Sequence, residues 1–211
     1  MKQTSPQAKM YATLFALAGW ITLLLQLYIA IKDSTTGLAT TLLQFFSFFT
    51  ILTNIMVALS FTAVALSPRA GKLQWLTNTG PLTAVTVYIM MVCIIANTLL
   101  LGLLDLHGLA FMVDKMLHLI LPLSMLLFWI IFVDKNGLSF SAALYWLWYP
   151  VLYVLYLIVL GAATGFYPYP FANAGKLGLP RALLNGVGIT AAFALLSLLL
   201  IGSARLSRKK S

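Results

Sequence analysis

The sequence predicts an all-α integral membrane protein, a six-transmembrane-helix bundle forming one domain over 1–211. Three observations lead there. Of 211 residues, 62% are hydrophobic and 8% charged, against roughly 25% charged in a soluble domain. The mean hydropathy is +0.99. The apolar residues also fall into long stretches parted by short polar punctuation, and about 20 such residues suffice for a helix to cross ~30 Å of hydrocarbon.

The spans are expected near 10–31, 39–66, 82–104, 116–133, 144–163 and 182–201. The first follows MKQTSPQAKM and has no small-residue cleavage site after a short apolar core, so it reads as a span and not as a removed signal peptide. Lys-Asp-Ser-Thr-Thr-Gly, Ser-Pro-Arg-Ala-Gly-Lys, Asp-Leu-His-Gly, Asp-Lys-Asn-Gly and a Pro/Gly-rich stretch over 167–180 separate the rest. Most connectors are too short for a soluble domain, so function must sit in the helices or at their mouths. Pro81, Pro122 and Pro150 are each expected near the start of a span, where a missing N–H costs little. Tyr145, Trp146, Trp148 and Tyr149 read as an interfacial aromatic belt opening the fifth span.

Orientation follows from the basic residues. Lys2, Lys9, Arg69, Lys72, Lys135, Arg205, Arg208, Lys209 and Lys210 fall on one side; Lys32, Lys115, Lys176 and Arg181 fall on the other. Nine against four puts both termini on the cytoplasmic side. The net charge of +9 thus belongs to topology and lipid headgroups. No basic run is interleaved with aromatics, so nucleic-acid binding is excluded. The single cysteine, Cys93, cannot form an internal disulfide and lies where a thiol packs as a small hydrophobe.

Polar side chains inside apolar spans must find a partner or line a cavity, which makes them the informative residues. Gln26 lies in the first span, Gln44, Ser47, Thr50, Thr53 and Asn54 in the second, and Tyr88, Asn97 and Thr98 in the third. Ser47, Thr50 and Asn54, spaced by three and four, are expected to share one helical face. Asp114 and His118 are also four apart; an Asp there can take the proton of one imidazole nitrogen and fix the tautomer, leaving the other nitrogen free. A Thr in a membrane helix more often bonds back to the preceding turn, and an Asn more often joins helices. His118 is the one histidine in a span. A membrane haem held by two histidines would need a second, and His107 reads as a loop residue. GxSxG, HExxH, a phosphate-cradling Gly-rich loop, a glycosidase carboxylate pair and an Arg-rich voltage sensor are all missing, and neither cofactor nor metal is expected.

At FFTILTN, DKMLHLILP and ATGFYPYPF the sequence resembles the bacterial six-helix membrane family labelled Pr-six-Pr. More distantly it resembles the eukaryotic androgen-induced and androgen-dependent TFPI-regulating proteins, intramembrane threonine hydrolases that cleave fatty acid esters of hydroxy fatty acids. The resemblance covers most of the chain, from the second span through YPYPF. It implies Thr50 as nucleophile and His118 as base, with Thr53 an alternative nucleophile in the same motif. Asn54, Asp114, Tyr149-Pro150 and Tyr167-Pro-Tyr-Pro belong to the shared pattern. It also implies a membrane lipid as substrate or ligand and a bacterial cytoplasmic membrane as location. With Asp114 orienting His118, a donor such as Asn54 would meet the oxyanion. Non-enzymatic lipid or solute binding and transport is the competing class, and a structural role for the same polar groups is the third.

The expected spans create one conflict. Thr50 falls about 16 Å into its span at ~1.5 Å per residue, whereas His118 falls just inside the fourth, an offset of about 10 Å along the membrane normal. It closes if the second span starts nearer Leu43, or if 109–113 is already inserted and carries Asp114 into the membrane.

Overall fold

The computed structural model describes residues 4–67, 72–102 and 105–208. Lys2, Arg69, Lys209 and Lys210 of the charge count, and the last residues of the expected 82–104 span, lie outside the described residues. So do the side chains of Lys72 and Arg208.

Among the described residues all regular structure is helical, and six helices are long and apolar enough to cross a membrane: Pro6–Lys32, Phe49–Leu66, Thr79–Thr98, Gly108–Phe132, Phe140–Thr164 and Leu179–Leu206. The first is α1 (Pro6–Lys32). Ser5 caps it by accepting the Ala8 N–H, and Pro6 occupies the first turn, where its missing N–H is harmless. Its buried residues Ala8, Ala12, Ala16 and Gly19 are small and recur every three or four positions. They let α1 lie against α3 (Phe49–Leu66). A Cβ on Gly19 would stand 3.3 Å from the Ala58 Cβ, the close approach by which small residues join helices in lipid. The opposite face of α1 presents Leu14, Leu17, Ile21 and Leu24, as a lipid-facing surface does.

The second expected span is two helices. α2 (Leu38–Ser47) ends at Phe48, which is extended at φ −78°, ψ 127°, and α3 starts afresh at Phe49. At ~1.5 Å per residue α3 alone is about 27 Å long and crosses without help from α2. The expected common face of Ser47, Thr50 and Asn54 is therefore not formed. The break turns Ser47 away to bond the Leu43 carbonyl and the Tyr156 hydroxyl, while Thr50 and Asn54 remain one turn apart on α3.

After α4 (Lys72–Trp75), α5 (Thr79–Thr98) runs beside α3. These two spans are each 61% buried, more than any other, and form the centre of the bundle. The fourth span comprises α6 (Gly108–Lys115), a π-helical turn (Met116–Ile120) and α7 (Leu121–Phe132). Helix thus begins at Gly108 and not at 116, so 109–113 is part of the span and Asp114 lies within it; with α3 starting at Phe49, Thr50 stands in the first turn of its own span, shallower than the sequence placed it. The fifth span bends at Leu147 between α8 (Phe140–Trp146) and α9 (Trp148–Thr164). A 3₁₀ turn (Pro170–Ala172) and α10 (Ala174–Leu177) lead into α11 (Leu179–Arg208), which packs on α5, α8 and α9.

Two prolines sit deeper than expected. Pro122 and Pro150 are mid-span, because their spans start at Gly108 and Phe140. A proline leaves the carbonyl four residues back without its helical donor. For Pro150 that is Trp146, whose carbonyl accepts from the Tyr88 hydroxyl at 2.7 Å. For Pro122 it is His118, whose carbonyl accepts from Asn97 Nδ2 at 3.1 Å. The aromatic cluster is likewise split: Tyr145 and Trp148 face outward, but Trp146 is buried and the Tyr149 ring packs on Phe49 and Tyr88.

Candidate functional site

The break at Phe48 leaves the Ser47 carbonyl and the Phe49 N–H without helical partners inside an apolar bundle, where each would cost several kcal/mol unmet. One hydroxyl meets both. Tyr153 Oη donates to the Ser47 carbonyl at 2.7 Å and accepts the Phe49 N–H at 3.0 Å. The next N–H, that of Thr50, points to Tyr169 Oη at 3.4 Å. Burial pushes the Tyr169 phenol above its ordinary value, so it stays a protonated donor at neutral pH. Tyr169 stacks on Phe171 at 5.2 Å and sits edge-on to Phe48 at 5.9 Å. Two residues earlier the Tyr167 ring lies over Gly161, where a Cβ would fall 2.0 Å from a ring carbon. The glycine is what lets the YPYP segment fold back on α9.

The π-helical turn organises the other half of the site. The Leu121 N–H bonds the Met116 carbonyl, five residues back. Leu117 is thereby deprived of its α-helical donor, and the next N–H along would belong to Pro122. Its carbonyl accepts instead from Asn54 Nδ2 at 3.3 Å. The same Nδ2 also donates to the Thr50 carbonyl at 2.8 Å. Asn54 thus ties the first turn of α3 to the residue preceding His118. Its two amide protons are both used, so Asn54 has none left for an oxyanion, contrary to the role expected from the sequence. Its buried Oδ1 has no partner.

His118 Nδ1 lies 2.8 Å from Asp114 Oδ1 and 3.1 Å from the Asp114 carbonyl, as the spacing predicts. Two acceptors on Nδ1 fix the proton there and leave Nε2 as the basic nitrogen. Lys115 Nζ stands 3.3 Å from the other Asp114 oxygen. Both side chains of the pair are partly open, His118 at 21% and Asp114 at 25% exposure.

Thr50, Asp114, His118 and Tyr169 all line one open cavity of ≈ 850 Å³, between the C-terminal end of α1, α2, α6 and the YPYP loop. Thr50 and Tyr169 also line a second, narrow cavity of ≈ 60 Å³, walled almost wholly by apolar residues of α5, α9 and α11. Thr50 thus stands where a cavity lined by polar as well as apolar groups meets an almost wholly apolar one. It is not hydrogen-bonded to His118. Thr53 is fully buried, bonds Tyr149 Oη at 3.4 Å and touches neither cavity. His107 precedes α6 at the surface, its ring beside Asp105. Tyr153, Tyr156 and Asn97 were given no site role by sequence reasoning. Their only signal was polar atoms in apolar spans: Tyr153 meets backbone groups freed by a break that the sequence does not announce, Tyr156 meets the Ser47 hydroxyl, and Asn97 meets the carbonyl that Pro122 vacates.

Fold and site together define a polytopic helical membrane protein with an open pocket carrying polar groups at one end of its bundle. No family model, no curated protein and no solved structure matches the chain.

Proposed function

We propose that this protein is an intramembrane hydrolase of a lipid ester, with Thr50 as nucleophile and His118 as general base. One observation carries the reading: Thr50 lies at the junction of a cavity that carries polar groups, the Asp114–His118 pair among them, and an almost wholly apolar crevice. A lipid ester is polar at one end and apolar at the other, and its carbonyl carbon lies at the boundary. In the proposed step His118 Nε2 takes the Thr50 hydroxyl proton as Oγ1 bonds to that carbon, Tyr169 Oη donating to the oxyanion. Collapse breaks the ester C–O bond, the imidazolium returns its proton to the departing alcohol, and water hydrolyses the acyl-threonine. The sequence resemblance to the threonine hydrolases supports the same two residues.

The loop charges support both termini on the cytoplasmic side, and the sequence resemblance supports a bacterial inner membrane. The cavity lies at the other ends of the helices, so it opens outward and admits water from there.

The test is turnover of a panel of lipid esters in proteoliposomes. Thr50→Ala and His118→Ala should each abolish it, and Thr50→Ser should keep part of it; unchanged hydrolysis in both alanine variants removes the proposal. A second reading, non-catalytic lipid binding or transport, is favoured by the missing hydrogen bond between Thr50 and His118. It expects Thr50→Ser and Thr50→Ala to behave alike and no covalent adduct with a fluorophosphonate probe.

A further inference from the structure

The walls of the larger cavity have a chemistry of their own. Among the described residues lining it there is no Lys or Arg. Its acidic members are Asp114, already met by His118 and Lys115, and Asp33 at the exposed end of α1. A phosphate or a free carboxylate would therefore meet two carboxylates with no lining Lys or Arg to offset them, an unfavourable pairing at short range. A cationic headgroup would find the deeper acid already paired.

The wall offers neutral polar groups instead. Gln26 on α1 and Gln44 on α2 both face the cavity, and neither side-chain amide is hydrogen-bonded within the protein. In an apolar segment an amide without a protein partner needs water or a ligand group that both donates and accepts. At the rim Ser34, Thr36 and Thr41 form a mutual hydroxyl cluster. Amides and hydroxyls without net charge match vicinal hydroxyls and ester carbonyls.

We propose that this cavity selects the uncharged polyol end of a lipid, as in an acylglycerol or a glycosylated acylglycerol, against phosphate- and carboxylate-bearing lipids, with Gln26 and Gln44 as the selecting residues. The inference rests on the cavity as the place of the lipid's polar end, as proposed above, but not on turnover. It is tested with full-length Thr50→Ala protein, which holds an ester without cleaving it. Native mass spectrometry would compare retention of dioleoylglycerol, a monoglucosyl diacylglycerol, dioleoyl phosphatidic acid and a hydroxy-fatty-acid ester with a free carboxylate. The two neutral lipids should be retained at least about tenfold over the two acids, one lost hydrogen bond's worth of affinity or more. Adding Gln26→Leu and Gln44→Leu should lower retention of the two neutral lipids about tenfold while thermal stability holds, since neither amide bonds to the protein, and leave only the discrimination made by Asp33 and Asp114. Equal or better retention of the acids, or neutral-lipid retention unchanged by the double substitution, overturns the inference. If the unsubstituted protein hydrolyses none of the four while neutral lipids are still selected, the inference stands and the hydrolase reading falls. If it hydrolyses and retains the carboxylate-bearing ester best, the hydrolase reading stands and the inference falls.

Discussion

Replacing Tyr153 by Phe removes one oxygen and should cost the protein far more than the same change three residues away. Tyr153 Oη closes both ends of the break at Phe48, with bonds of 2.7 and 3.0 Å to the Ser47 carbonyl and the Phe49 N–H. Side-chain hydrogen bonds in membrane proteins average about 0.6 kcal/mol and reach about 1.7. A backbone group left buried and unmet costs about 1–3 kcal/mol. Two such groups are orphaned, so at least about 2 kcal/mol is expected in total. Tyr156→Phe provides the comparison. It also removes a bond to Ser47, but to the hydroxyl, which keeps the Leu43 carbonyl at 2.6 Å, and Tyr156 is 41% exposed. Its loss should cost about 0.5 kcal/mol or less. Reversible unfolding in mixed detergent micelles measures both. Costs that are equal, or a Tyr153→Phe cost below about 0.5 kcal/mol, would show that the break is not held by this hydroxyl.

Other consequences follow from the same contacts. Asn97→Leu should destabilise by about 1 kcal/mol, and less in a Pro122→Ala background, where residue 122 supplies the N–H that the His118 carbonyl lacks; a double-mutant cycle reads the coupling. Gly161→Ala drives a methyl into the Tyr167 ring and should cost about 1–3 kcal/mol in the same unfolding assay, together with lost turnover as Tyr169 moves. Asp114→Asn frees the His118 tautomer, and kcat should fall by about 10²-fold or more with KM little changed in a steady-state assay. Because burial raises the Tyr169 phenol, the folded state holds that proton more tightly than the unfolded. Its contribution to stability is complete below the ordinary tyrosine value of about 10 and is lost as pH rises beyond it. Tyr169→Phe should make the unfolding free energy fall less steeply over that range.

The six spans were legible because lipid demands long apolar runs, and the Asp114–His118 pair because a four-residue spacing survives even a π-helical turn. Thr50 and Asn54 were legible as polar atoms in hydrocarbon. The break at Phe48 was not. It has neither proline nor glycine, and its cause lies about a hundred residues away, in hydroxyls that make an extended residue tolerable. Pro122 and Pro150 were visible but misplaced, since span ends read from hydropathy ran several residues short. Once they are placed mid-span, the partners of Asn97 and Tyr88 follow from which carbonyl each proline vacates.

The groups that hold Thr50 in place, Tyr153 and Tyr169, come from the last third of the chain, whereas Thr50 itself is made in the first quarter. A nascent protein with four spans inserted carries the Asp114–His118 pair and Asn54, yet the start of α3 has no hydroxyl to close it. The pocket is therefore assembled late in biogenesis. A chain interrupted before α9 reaches the bilayer with a membrane-embedded histidine but without a positioned threonine.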